Sequence, residues 1–268
     1  SAAACEAGFE AFEDTDSGLM GYVQRPLYNK EALDEAIADN MPEGATVTYD
    51  VEEVPDQDWN QGWEDEGFEP IGVGDHLIIY DAKHTDMNMF AGNDGVMRIF
   101  IEARNAFGTG THQTTRMILR RFQNMDMAGI DVLDCGCGTG ILGIAASKMG
   151  AKKVLGYDID EWSSENAKHN AELNGVKNMD VLLGDASVLS GVQDKFDLVV
   201  ANINRNILIN DMSAFRSVMR GNGTKLILSG FYTTDVPMLQ EAAAANGLQL
   251  MDVVEDEEWA CALFELSL

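Results

Sequence analysis

The chain has 268 residues, 46% of them hydrophobic, and a formal net charge of −27. That length allows one large domain or two smaller ones, each with an ample core. No stretch reaches the roughly 18 uninterrupted apolar residues of a membrane span, and no secretory segment stands out. The four cysteines give no disulfide framework and read as reduced thiols of a cytoplasmic protein.

The charge is uneven: residues 1–104 carry 24 acids against 5 bases, and residues 105–268 carry 21 against 13. An acidic front end repels nucleic acid and attracts basic partners, so direct nucleic-acid binding is not expected. Charge alone leaves a solvated, solubility-promoting surface as an equal alternative.

In chain order, residues 1–49 read as a small α+β unit. A short strand at 21–23 precedes a helix over 30–38, with Asn29 as its cap and Pro42 beyond its end, and a second strand follows at 46–51. Residues 52–70 hold two prolines, many acids, Trp59 and Trp63, the composition of a linker that docks through its aromatic residues. Apolar runs at 77–80 and 96–101 read as strands of an antiparallel element.

Residues 106–115 run Ala-Phe-Gly-Thr-Gly-Thr-His-Gln-Thr-Thr, ahead of the apolar-periodic Met117, Ile118, Leu119 and Phe122. A Gly-rich turn ending in Thr-Thr reads as a capped helix start, whose free N–H groups and hydroxyls suit a carboxylate. A turn and cap with no ligand is the competing reading. Strands then alternate with helices: 131–136, 153–158, 180–184, 197–203 and 225–230, closing with 250–254 and 260–266. Such alternation makes a mostly parallel sheet covered on both faces, here with a terminal antiparallel hairpin.

The strand Val132-Leu133-Asp134-Cys135 feeds Gly136-Cys137-Gly138-Thr139-Gly140, and the next strand ends in Asp158. Gly136 and Gly138 admit a ligand close to the backbone, Gly140 lets helix and strand pack closely, and Asp158 suits two ribose hydroxyls. A dinucleotide fingerprint leaves space for a pyrophosphate, which Asp134 would repel. Asp134 suits instead the cationic amino-acid end of S-adenosylmethionine (SAM). The Asp134-x-Gly-x-Gly-x-Gly form resembles the first motif of class I SAM-dependent methyltransferases. That resemblance implies that Asp185, closing the third strand, holds the adenine amino group, with Ile159 and Ala186 also in the cofactor set. Any of these acids can instead serve as a cap or turn residue. Cys135 and Cys137 lack the second ligand pair of a zinc site, so no metal is expected.

Together, Ala106-Phe107-Gly108-Thr109-Gly110-x-His112-x-Thr114-Thr115, the Asp134 loop, Tyr157-Asp158-Ile159-Asp160 and Val200-Ala201-Asn202-Ile203 closely resemble the PrmA family. These are bacterial methyltransferases of large-subunit ribosomal protein eleven. The resemblance covers about residues 50–268, including 55–59 and Glu258-Trp259, and is looser before that. It implies an α/β, Rossmann-like class I methyltransferase fold over 71–268, a linker at 52–70, and a small α+β substrate-recognition domain at 1–51. Family members open that front domain with a strand and most of a helix. This chain starts within the helix, so the domain is expected to lack its first strand. Glu102-Ala103-Arg104-Asn105 stands where a Pro-Gly turn belongs, so a remodelled turn is expected.

The resemblance further implies methyl transfer from SAM to lysine and N-terminal amines of a basic ribosomal protein; a cytoplasmic monomer is the default expectation. It adds Thr109, Thr115 and Asn202 to the cofactor set, with Asn202 facing the attacking amine unless it caps the next helix. Phe107 walls the cofactor or the substrate lysine unless it is a core aromatic. Enzymes that methylate planar nitrogens carry Asn-Pro-Pro-Tyr at the Asn202 position. Asn202-Ile203-Asn204-Arg205 lacks both prolines and the ring, which favours an aliphatic amine. The alternatives are a methyltransferase for another protein or a small amine, a non-catalytic SAM-binding module and, remotely, a nicotinamide oxidoreductase.

Overall fold

The computed structural model describes residues 11–15, 18–23, 28–40, 47–51, 67–90, 95–103 and 108–267. The chain divides into two compact units, Ser1–Gln57 and Asp58–Leu268. In the first, β1 (Ala11–Thr15) and β2 (Gly18–Tyr22) form an antiparallel hairpin. Helix α1 (Lys30–Asn40) begins where Asn29 Oδ1 accepts from the N–H groups of Glu31 and Ala32, 3.0 and 3.2 Å away. The strand expected at 46–51 does not form: residues 47–51 are irregular, and Val47 and Val51 are exposed. Alternating apolar residues make a strand only where a sheet edge pairs with them. The expected opening helix at 1–10, the linker's Trp59 and Trp63, and the remodelled turn at Arg104 and Asn105 lie outside the described residues.

The second unit contains a three-stranded sheet of β3 (Ile71–Val73), β4 (Leu77–Asp81) and β5 (Met97–Ile101). β3 and β4 are antiparallel, but β4 and β5 are parallel, correcting the all-antiparallel expectation. A parallel return needs a connection of roughly a dozen residues or more, and residues 82–96 supply it.

Seven further strands and five helices follow, in the order α2 (Gln113–Gln123), β6 (Asp131–Cys135), α3 (Ile141–Lys148), β7 (Lys153–Asp158), α4 (Glu161–Leu173), β8 (Met179–Leu183), β9 (Leu198–Asn202), α5 (Arg205–Val218), β10 (Lys225–Tyr232), α6 (Val236–Ala245), β11 (Leu248–Asp256) and β12 (Trp259–Leu266). The strands form one sheet ordered β11-β12-β10-β9-β6-β7-β8. All neighbours from β10 to β8 are parallel, and β12 pairs antiparallel with both β10 and β11. The chain runs outward from β6 to β8 and then returns to β9 on the other side of β6. That reversal opens a crevice at the carboxyl ends of β6 and β9, where open α/β sheets bind ligands.

Strand residues alternate between two cores. Leu133, Leu155, Val199 and Leu228 pack with Leu208, Met212 and Phe215 of α5 and Leu239 of α6. Val132, Val154, Val200 and Ile227 pack with Ile118 and Phe122 of α2 and with Ile79 and Ile99 of the small sheet. Each fully buried Leu, Ile or Phe contributes about 1.5–3 kcal/mol relative to exposure. The strand ends that form the crevice are therefore held from both faces.

Candidate active site

Asp134, the penultimate residue of β6, is 1% exposed. Its Oδ2 accepts from the N–H of Gly143 at 2.9 Å, in the first turn of α3. Gly140, the N-cap of α3, has no side chain to cap with, so Asp134 satisfies that orphan donor from the strand. Its Oδ1 is buried with no hydrogen-bond partner. Burial pushes the carboxyl up to about 7, the Gly143 N–H opposing and the Asp158 charge adding to the shift.

The loop after Asp134 is tied to β7: the N–H groups of Gly136 and Cys137 both donate to Tyr157 O, at 2.9 and 3.0 Å. Gly136 has φ +66, and a Cβ there would collide with the Ile203 side chain just past β9. At Gly140, φ +79, a Cβ would lie 3.1 Å from Ala167 Cα on α4. Only glycine meets both demands of left-handed backbone and close approach. The glycine loop is thus wedged between the end of β9 and helix α4.

Asp158 closes β7 with both oxygens engaged: Oδ2 accepts from Gly138 N–H at 2.8 Å and Oδ1 from Asp160 N–H at 3.1 Å. A carboxylate offers about four lone-pair sites, so capacity remains for two hydroxyls. The adjacent Ile159 is 74% exposed, an apolar face at the rim. Asp185 caps the short 3₁₀ helix Ala186–Gly191, accepting from Ser187 N–H at 2.9 Å. Hydrogen bonds from the Ser187 side chain and backbone hold its carboxyl below the ordinary range. Ala186 beside it is buried.

On the other side of the crevice, Asn202 ends β9 in register with Ser229 of β10. Its Nδ2 donates to Thr115 Oγ1 at 3.2 Å, while its Oδ1 is buried without a partner. It does not cap α5: Asn204 is the N-cap, accepting from Asn206 N–H at 2.8 Å. Thr115, 1% exposed, lies in the first turn of α2, which His112 rather than a threonine caps. The ring Nδ1 of His112 accepts from Thr114 N–H at 3.3 Å, and the ring stands edge-on to Trp259, 4.7 Å between centroids. Burial, and then the Arg116 charge, lower the His112 pKa, which favours the neutral ring that capping requires. Just upstream, Thr109 and Thr111 share a hydroxyl–hydroxyl bond of 2.9 Å. Phe107 lies outside the described residues.

Two buried oxygens without partners therefore lie at the ends of adjacent strands, Asp134 on β6 and Asn202 on β9. Native interiors rarely leave such atoms unpaired, and a bound group that donates hydrogen bonds repairs both. An ammonium-bearing nucleoside with ribose hydroxyls fits this donor demand, the spare acceptor capacity of Asp158 and the exposed apolar rim at Ile159. A dinucleotide pyrophosphate does not, because Asp134 stands beneath the loop.

Sequence reasoning missed one set of residues. Asn166 and Asn170 of α4 and Asn174, its C-cap, spaced four apart, hydrogen-bond the free edge of β5 and the chain just beyond it. Amides recurring every four residues along one side of a helix are the signal that could have found them.

The comparisons agree with this architecture. The family model described as ribosomal protein L11 methyltransferase (PrmA) matches residues 9–266. A ribosomal protein L11 methyltransferase of Bacteroides fragilis is 41% identical over 261 residues, covering 97% of this chain and 91% of that protein. One from Porphyromonas gingivalis is 42% identical over 267 residues, covering 98% and 89%. The crystal structure of a ribosomal protein L11 methylase from Lactobacillus delbrueckii subsp. bulgaricus superposes with a TM-score of 0.67 at 30% identity, over 75% of this chain and all of that one. The chain belongs to the ribosomal protein L11 methyltransferase (PrmA) family.

Proposed function

We propose that this chain transfers methyl groups from SAM to the lysine side-chain amines and the N-terminal amine of ribosomal protein L11. The observation that carries the reading is the pair of buried, unpaired oxygens on Asp134 and Asn202 at one crevice. When bound, SAM supplies a methyl group already activated on a sulfonium. Asp134 would hold its ammonium, Asp158 its ribose, Asp185 with Ile159 and Ala186 its adenine, and Thr109 and Thr115 its carboxylate.

The chain's own contribution is alignment in a dry pocket. Asn202 Oδ1 accepts from an N–H of the incoming amine, which turns the nitrogen lone pair toward the methyl donor. The hydrogen bond that Asn202 Nδ2 donates to Thr115 Oγ1 occupies the NH₂ group and leaves Oδ1 as the group available to accept. A lysine must first shed a proton, from a reference pKa of about 10.4, and apolar surroundings lower that value. None of the described residues at the mouth is a dedicated base, so the proton leaves through water. Asn202-Ile203-Asn204-Arg205 has no rigid Pro-Pro turn and no ring to grip a flat group, in keeping with an aliphatic amine.

The net charge of −27 suits a basic ribosomal protein as substrate and repels bare nucleic acid. The front unit would serve substrate recognition, and the enzyme would work as a cytoplasmic monomer. Calorimetry with SAM, followed by incubation of recombinant L11 with methyl-labelled SAM, tests the reading. Saturable SAM binding and label on L11 are expected. SAM binding with label only on other proteins of a lysate would redirect the substrate, and no SAM binding would remove the reading altogether.

A further inference from the structure

Helix α4 carries the buried Asn166 and Asn170, and the half-buried Asn174 is its C-cap; together they stand where an edge strand would otherwise need a partner. Asn174 pairs with Phe100 as a strand would: its Oδ1 accepts from the Phe100 N–H at 3.0 Å, and its Nδ2 donates to the Phe100 carbonyl at 2.6 Å. One step along, Asn170 Oδ1 accepts from Glu102 N–H at 3.0 Å, while Asn166 and Asn170 donate to Glu102 O at 2.9 and 3.2 Å. Asn170 then does something Asn174 does not. Its Nδ2 also donates to the carbonyl of Thr139, inside the glycine loop, at 3.0 Å. The Thr139 hydroxyl in turn donates to Gly108 O at 2.5 Å, at the start of the Thr109–Thr115 segment.

Asn170 is completely buried, as is Thr139, so the bond between them has no water as an alternative partner. Its amide orientation is determined by the network, because a flip would set NH₂ against the Glu102 N–H and oxygen against two carbonyls. We infer that Asn170 is a positioning residue for the cofactor: through Thr139 it sets the glycine loop against the 108–115 segment, so that both sides of the SAM site are in register before SAM arrives. Asn174 makes the same kind of clamp on β5 without touching the loop, which separates positioning from stability. This inference rests on the reading of the loop as a SAM site.

The test is calorimetric SAM binding and thermal unfolding of the full chain and its variants, without turnover. Asn170→Ala and Asn174→Ala are both expected to lower Tm. Only Asn170→Ala is expected to weaken SAM binding, by about tenfold, because it leaves a buried loop carbonyl unpaired. Asn170→Asp covers the case in which Asn170→Ala does not fold. An ionised Asp repels the Thr139 carbonyl, whereas a protonated one donates to it, so its SAM affinity relative to wild type should recover as pH falls. If Asn170→Ala binds SAM as Asn174→Ala does, or if the Asn170→Asp ratio is flat with pH, the inference is overturned. A wild-type chain that does not bind SAM defeats instead the reading beneath it.

Discussion

Along the β6–β7–β8 edge of the crevice, carboxylates stand at or just past the strand ends, and each already accepts from a backbone N–H. Asp134 has Gly143, Asp158 has Gly138 and Asp160, and Asp185 has Ser187. Along the β9 edge the closing residue is an amide, Asn202, held by one threonine hydroxyl. The first edge is preorganised by its own backbone and would keep its shape without a ligand. The second depends on a helix from elsewhere in the chain, and α2 is itself secured by ion pairs from Arg120 and Arg121 to Asp256 and Asp252 of β11. Under the proposed function the two edges would do different work: the carboxylates would hold the cofactor, and the Asn202 oxygen would meet the substrate amine.

The largest expected effect lies on the β9 edge. Asn202→Ala should lower kcat by about 10²–10³-fold, the loss typical of one oriented hydrogen-bonding group at a reacting centre. The SAM dissociation constant should shift far less; equal losses in both would merge the two edges into one cofactor site. On the opposite edge, Asp134→Asn keeps an oxygen for Gly143 N–H but removes the charge. SAM binding measured by calorimetry should weaken by about 10- to 100-fold, with little change in kcat at saturation.

A smaller effect follows from the Asp134 carboxyl, raised to about 7. A cationic ligand needs the ionised form, so SAM affinity is full above that pH and falls as pH drops below it, by up to about tenfold per unit. Above a pH of about 8 the ligand's own α-amino group loses its charge, so a binding profile should pass through a maximum. Asp134→Asn should lose the acidic limb of that profile and keep the alkaline one. Smallest is Gly136→Ala, which strains a left-handed backbone and overlaps Ile203. Chemical denaturation should show a loss of about 1–3 kcal/mol.

How far the sequence could be read follows from the same contrast. The doubly wound core was legible because strand-helix alternation and the Asp134–Gly140 loop are local signals, each complete within a short stretch. Thr115 and Asn202 lie far apart in the chain, and no periodicity links them; only the family resemblance brought them to one site. The parallel pairing of β4 and β5 was missed because apolar runs look the same in either orientation. The strand expected at 21–23 is part of β2, but its partner β1 was not anticipated, and the strand expected at 46–51 does not form over the described 47–51, because pairing decides the outcome of such short runs. Asn170 escaped notice because asparagine reads as a cap or turn residue, and here it stands in for a strand.

The most direct measurement is peptide mass spectrometry of recombinant L11 after incubation with this chain and SAM. The expected result is successive single-methyl increments on lysine side chains and on the N-terminal amine, absent with Asn202→Ala. Methylation confined to glutamine or arginine, or none on L11 while SAM is consumed, would contradict the account.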